Sequence, residues 1–292
     1  MNEKKKSVFI IDAAVFCAVL IIAVIMRFIQ YLTVIEEKTG FYKAVDANVI
    51  IFSAIVAAAV FFFIGSAFAV RKSLCYDNAV AKRPASAFAS LIMAAGLVIS
   101  DIFEYRMMSF DASAYTVSAS ISSGIINVFT YAQIVCALIS AVYFIAIGIG
   151  YFTGRAGGKS YKVLSLAPVL WCVFRLVIRF TRTVSYIRVS DLALEMLMIC
   201  AFAIFFMAFA RCNSDVTEEY GVWKLSAFAF AGALFALICF IPQAVLYLTG
   251  RQDFVYILSR PQPCDCAAAL FMLVTVLTRV YKADKTGSSL TQ

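Results

Sequence analysis

Short charged stretches divide this chain into apolar runs of roughly 18 to 27 residues, the length a helix needs to cross a hydrocarbon core of about 30 Å. The chain is 63% apolar and 14% charged, against about 45 to 50% and 25% in soluble domains. It therefore reads as all-α: a polytopic transmembrane helix bundle forming one domain over residues 1–292. The runs fall at 8–29, 47–70, 87–103 and 124–152, in a helical hairpin over 163–210, and at 225–248 and 266–280, which makes about eight spans. The basic start Lys4-Lys5-Lys6 could introduce a signal peptide, but the run after it lacks a small-x-small cleavage site and is taken as a retained span.

The hairpin is the most informative stretch. Its outgoing helix carries Arg175, Arg179 and Arg182 and its returning helix Arg188, Asp191 and Glu195, placed ten, six and three residues either side of a turn at Ser185. In an antiparallel hairpin those pairs lie at equal depth, so Arg175 should face Glu195 and Arg179 should face Asp191. Helical spacing keeps each series on one side of its helix. A charge near mid-bilayer costs about 2.5 to 3.5 kcal/mol, so such residues persist when paired. Arg182 and Arg188 would remain at the mouth, where two cations could receive a phosphate, a carboxylate or a lipid headgroup. These six residues are the candidate binding site.

Charge also sets orientation. Fifteen of the 25 lysines and arginines lie at alternate ends of the spans beginning with the N-terminus, and ten lie at the opposite ends. The bias places both termini in the cytoplasm. If the helix starting near Val163 fails to span, everything after it flips or becomes re-entrant. The net charge of +8 is explained by topology and anionic headgroups, not by nucleic acid. A tandem 4+4 repeat, with halves 1–152 and 153–292, is suggested by two offsets. Ser86-Ala87-Phe88-Ala89 matches Ser226-Ala227-Phe228-Ala229, and Arg27-Phe28 matches Arg179-Phe180.

Other motifs are weaker. Histidine is absent, which excludes any mechanism needing an imidazole base or a histidine ligand. Cys17, Cys136, Cys172, Cys200 and Cys239 fall inside spans, where they act as small apolar residues rather than a disulfide framework. The turn Gly154-Arg155-Ala156-Gly157-Gly158-Lys159-Ser160 has the wrong spacing for a phosphate-binding loop and follows a helix, not a strand. Cys264-Asp265-Cys266 alone is a poor metal or redox motif. No metal ligand set, catalytic residue or cofactor is assigned. Arg27 is expected to snorkel outward, and Gln133 and Gln243 to make interhelical hydrogen bonds.

The run from Leu164 to Trp171, continuing to Arg175, together with Glu195-Met196-Leu197-Met198, Phe205-Phe206 and Ala210-Arg211, resembles uncharacterised multipass membrane proteins of Gram-positive bacteria. That resemblance implies membrane embedding and a bacterial plasma membrane, and it transfers no activity. The leading expectation is a transporter-like or channel-like protein for a small anionic or amphipathic solute, with the lipid bilayer as its surroundings. The alternative is a structural or sensory membrane subunit whose charged hairpin is an ionic lock. An enzyme is the weakest reading, since paired acids beside a nucleophile are missing.

Overall fold

A computed structural model describes residues 3–35, 42, 46–76, 82–111, 122–154, 162–182, 189–214, 221–250 and 262–281. Among them eight α-helices follow in order: α1 Glu3–Ile29, α2 Ala47–Ala69, α3 Pro84–Asp111, α4 Ser122–Thr153, α5 Ala167–Arg182, α6 Val189–Asn213, α7 Val222–Leu248 and α8 Pro263–Val276. Wide π-helical turns extend α1 through Gln30–Val34 and α8 through Leu277–Tyr281, and a 3-10 turn, Leu164–Leu166, leads into α5. Seven of the helical segments are long and apolar enough to cross a membrane. The eighth, α5, has 16 residues and three arginines.

The helix ends follow from local chemistry. Asp46 caps α2 by accepting the Asn48 N–H at 3.0 Å, which satisfies a donor that has no intrahelical acceptor. Pro84 and Pro263 open α3 and α8, where a missing N–H costs nothing. The chain leaves α7 through Gly250, whose φ of +75° suits glycine. Pro242 lies inside α7, which continues to Leu248.

Contacts between helices fix an up-and-down order. Along α3 and α8, Ser86 meets Thr278 (Oγ to Oγ1, 2.9 Å) and Ser100 meets Cys264 (3.0 Å to the amide). These contacts lie fourteen residues apart on each helix, running in opposite directions, so the two helices are antiparallel in strict register. The Arg83 amide donates to the Tyr151 carbonyl at 3.0 Å, which sets α4 antiparallel to α3. Phe16 packs on Phe63 and Phe230, while Gln243 reaches Tyr31 at 3.4 Å; α1 therefore runs with α7 and against α2. One face of the bundle gathers Arg71, Arg83, Arg211, Lys224 and Arg279, and is called here the basic face; the other is the opposite face.

These contacts also place α5. Val169 in its first turn lies with Arg211 and Lys224 at the basic face, whereas Arg175 and Arg179 meet residues near the opposite ends of α8 and α6. At 1.5 Å per residue its 16 residues cover ~24 Å, so α5 joins the two faces despite its length.

The core is aromatic. Phe144 and Phe209 set their rings 5.0 and 5.3 Å from Phe271, both nearly edge-on, the arrangement favoured by the ring quadrupole. The span of α7 is 78% buried, against 17% and 22% for those of α1 and α2, so α7 is the hub and the first two helices lie at the rim. At the basic face the Tyr76 hydroxyl donates to Asn213 Oδ1 at 2.9 Å. Burial pushes that phenol well above its ordinary value, against the pull of Arg279.

Small residues let α3 and α8 approach, as is common where helices pack in lipid. A Cβ at Gly96 would stand 2.7 Å from Ala267 Cβ and 3.3 Å from the Cys264 Cα and the Pro263 oxygen. Two of those three atoms are backbone and cannot yield easily. Gly96→Leu should therefore cost about 1 to 3 kcal/mol by overpacking, read as a lower Tm in detergent. Gly65→Ala, with nothing within 4 Å of the added atom, should cause no loss.

Candidate functional site

The site begins at the first turn of α8. Pro263 supplies the fixed φ of a helix start, and Asp265 puts a negative charge where the helix dipole is positive. Gln262, the capping residue, makes no side-chain cap. The Cys264 amide is satisfied instead from another helix, by Ser100 Oγ of α3 at 3.0 Å. Asp265 is thereby held at a fixed depth.

Arg175 comes to it from α5. Its two terminal nitrogens reach Asp265 Oδ1 and Oδ2 at 2.5 and 2.8 Å, a two-point fork of the strong, orienting kind. The guanidinium also lies 5.4 Å from the Trp171 ring one turn back and 3.8 Å from the Cys264 sulfur. Arg175 is 3% exposed. The buried face of α5 runs Ala167, Trp171, Cys172, Arg175, Ile178, a helical stripe in which the arginine occupies a core position.

This overturns the expected pairing of Arg175 with Glu195. Glu195 pairs instead with Arg179, at 3.2 Å, so the hairpin is slipped by four residues, about one turn. The cause is α8: its first turn offers Arg175 a capped carboxylate at the right depth, and Glu195 is left to the next arginine. The side chains of Arg182 and Asp191, and all of Arg188, lie outside the described residues. The anion-receiving mouth expected at Arg182 and Arg188 falls there too.

α3 carries two acids toward the same face. Glu104 accepts from Gln133 Nε2 of α4 at 2.6 Å, an interhelical bond expected at Gln133. Asp101, one turn before it, is 6% exposed, and its Oδ2 has no hydrogen-bond partner. Arg175 and Arg179 are thus each matched by an acid, Asp265 and Glu195, and α3 carries two further acids, Asp101 and Glu104, one turn apart.

Other expected positions divide. Arg27 does not snorkel: it is 1% exposed and held inside by Gln30 Oε1 at 2.7 Å, the Tyr42 hydroxyl at 3.1 Å and the Tyr31 and Phe52 rings at 5.0 and 5.8 Å. Gln243 is bonded to Tyr31, as an interhelical polar group should be. Sequence reasoning missed Asp265, Ser100 and Glu104 as partners. A signal existed for Asp265, an acid in the first turn of an apolar helix behind a proline, but Cys264-Asp265-Cys266 drew attention to its cysteines. Among the described residues no group of three or more Cys, Asp or Glu is placed to hold a metal ion.

No family model matches the chain, and no curated protein or solved structure matches it either. The reading of the site rests on its geometry.

A buried ion pair is costly to break from one side and cheap to replace whole. Asp265→Asn or Arg175→Met should each destabilise by about 3 kcal/mol or more, while Arg175→Met with Asp265→Leu should recover most of the loss. Swapping the charges of Arg175 and Asp265 should restore part of the stability, and swapping Arg175 and Glu195 should not. Melting curves of the five purified variants in one detergent measure these effects.

Proposed function

We propose that this multipass membrane protein is transporter-like, with the charge network closing one face of the bundle and its acids taking up a proton or a small cation when the network opens. The chain would sit in a plasma membrane with both termini and the basic face in the cytoplasm, as the distribution of lysine and arginine favours. The observation that carries this reading is Asp101: a carboxyl group buried in a span, with one oxygen lacking a partner. A buried, unsatisfied carboxylate is expensive in any interior and more so in lipid. Ionisable groups retained at such depth mark ion or substrate pathways by default. Asp101 and Glu104 on α3 favour a cationic or amphipathic solute over the anionic one that the hairpin arginines suggested.

A specific observation favours a second reading. Arg175 meets Asp265 at two points with 3% exposure, which is what an ionic lock in a structural or sensory subunit would need. The two readings differ in whether the network opens while the protein stays folded.

Cys264 reports on that. It is 1% exposed and lies directly behind the Arg175–Asp265 pair. A charged, membrane-impermeant maleimide is added to the protein in lipid nanodiscs, 20 °C below the Tm of each variant, and the labelled residue is located by peptide mass spectrometry. Under transport, wild-type Cys264 should be modified slowly and Asp265→Asn about tenfold faster, with the bundle intact. Modification of Cys264 that merely follows the melting curve would leave the lock reading standing and remove the transport one.

A further inference from the structure

A groove of about 370 Å³ opens on the basic face, between the start of α5, the last turns of α6 and the start of α7. Its volume lies within the roughly 300 to 1,000 Å³ of ligand pockets. The lining of α6 repeats every four residues: Ala203 and Ile204, then Met207 and Ala208, then Arg211 and Cys212. That spacing draws one stripe down the helix, ~12 Å from Ala203 to Arg211 at 1.5 Å per residue. The stripe is apolar for two turns and cationic on the third.

The end of the stripe is built for an anion twice over. Lys224 of α7 lines the groove with Arg211. The N-terminus of α7 opens beside them at Gly221, whose position offers no side-chain cap to the first-turn amides. The Lys224 N–H is held by the Gly221 carbonyl at 3.2 Å, and the positive end of the helix dipole favours a negative ligand. The side of the groove, by contrast, is open and apolar, since Ile204 and Met207 are 40% and 39% exposed. In a span such side chains face hydrocarbon.

We propose that this groove binds an anionic phospholipid, with one acyl chain along the α6 stripe and against Val169, and the phosphate against Arg211 and Lys224 at the positive end of α7. The axis of the stripe decides for a lipid over a soluble anion. α6 is a span, so a tail lying along it points into the bilayer while its head stays at the basic face. Basic pockets between helices at the cytoplasmic side are the usual seat of such headgroups. The Phe68–Trp223 pair, rings 5.5 Å apart and edge-on, sits next to Lys224 as an interfacial anchor. This site is separate from the charge network, which lies at the opposite face, and it does not depend on the transport reading.

Thermal unfolding of the full chain in a neutral detergent tests it, with phosphatidylglycerol, phosphatidylcholine or inorganic phosphate added. Phosphatidylglycerol should raise the Tm well above phosphatidylcholine at equal concentration. Arg211→Gln and Lys224→Gln should each weaken its apparent affinity about fivefold, and Lys224→Arg should keep it. Ala203→Phe, which fills the groove without touching a charge, should abolish the phosphatidylglycerol advantage. If a variant fails to fold, native mass spectrometry of the wild type decides: phosphatidylglycerol should stay bound under collisional activation that strips phosphatidylcholine. Equal effects of the two lipids, a shift reproduced by inorganic phosphate alone, or an advantage that survives Ala203→Phe would overturn the proposal.

Discussion

The contact between Arg175 and Asp265 decides how the short helix of this bundle is held. With 16 residues and three arginines, α5 packs on α4 and α6 and still carries a cation into the interior. An arginine at its core position must find a carboxylate, because an uncompensated cation at that depth costs more than a helix of this size can offset. Asp265 supplies it from a residue ninety positions away. Three helices meet in that contact: α5 brings the cation, α8 the anion, and α3 the Ser100 hydroxyl that caps the turn presenting the anion.

Depth is therefore set by the fit between α3 and α8, and the site inherits its geometry from a glycine. Gly96 allows those helices to touch where Ala267 and the Cys264 backbone cross it. Four residues along α3, Ser100 then lines up with the Cys264 amide, and Asp265 follows by one position. The same register at the other end brings Ser86 to Thr278, while Arg83 donates to the Thr278 carbonyl at 2.8 Å. A local steric condition at one face and polar contacts at the other thus determine where the carboxylate stands.

Much of this was legible in the sequence, and the part that was not has a physical cause. Length and apolarity located the seven long helices, because a span must satisfy its own backbone and cannot be much shorter than the hydrocarbon is thick. Helical spacing correctly put Arg175, Arg179 and Glu195 on facing sides of a hairpin. It failed on who pairs with whom, because symmetry about Ser185 knows only the hairpin and not the third helix that competes for its arginine. Arg27 was misread for a related reason: snorkelling assumes nothing nearby can hold the guanidinium inside, and Gln30, Tyr42 and two aromatic rings do. Pairings within one hairpin obey arithmetic, whereas pairings between distant helices obey packing, which no single stretch records.

Membership in the site matters more than the sum of charges along one stretch. Counted along the hairpin, the charges invite an anion; among the described residues Arg175 and Arg179 are each matched by an acid, and α3 adds two more acids. The two terminal nitrogens of Arg175 are taken by Asp265, Glu104 next to Asp101 is engaged by Gln133, and Asp101 Oδ2 has no hydrogen-bond partner. A lone carboxyl group in that position has two ways to avoid an unsolvated charge: it keeps a proton, or it meets a cation. Asp265 and Glu195 need neither, because an arginine holds each of them; the difference between these acids and Asp101 is set by which helix brings the cation, and α5 brings one each to α8 and α6.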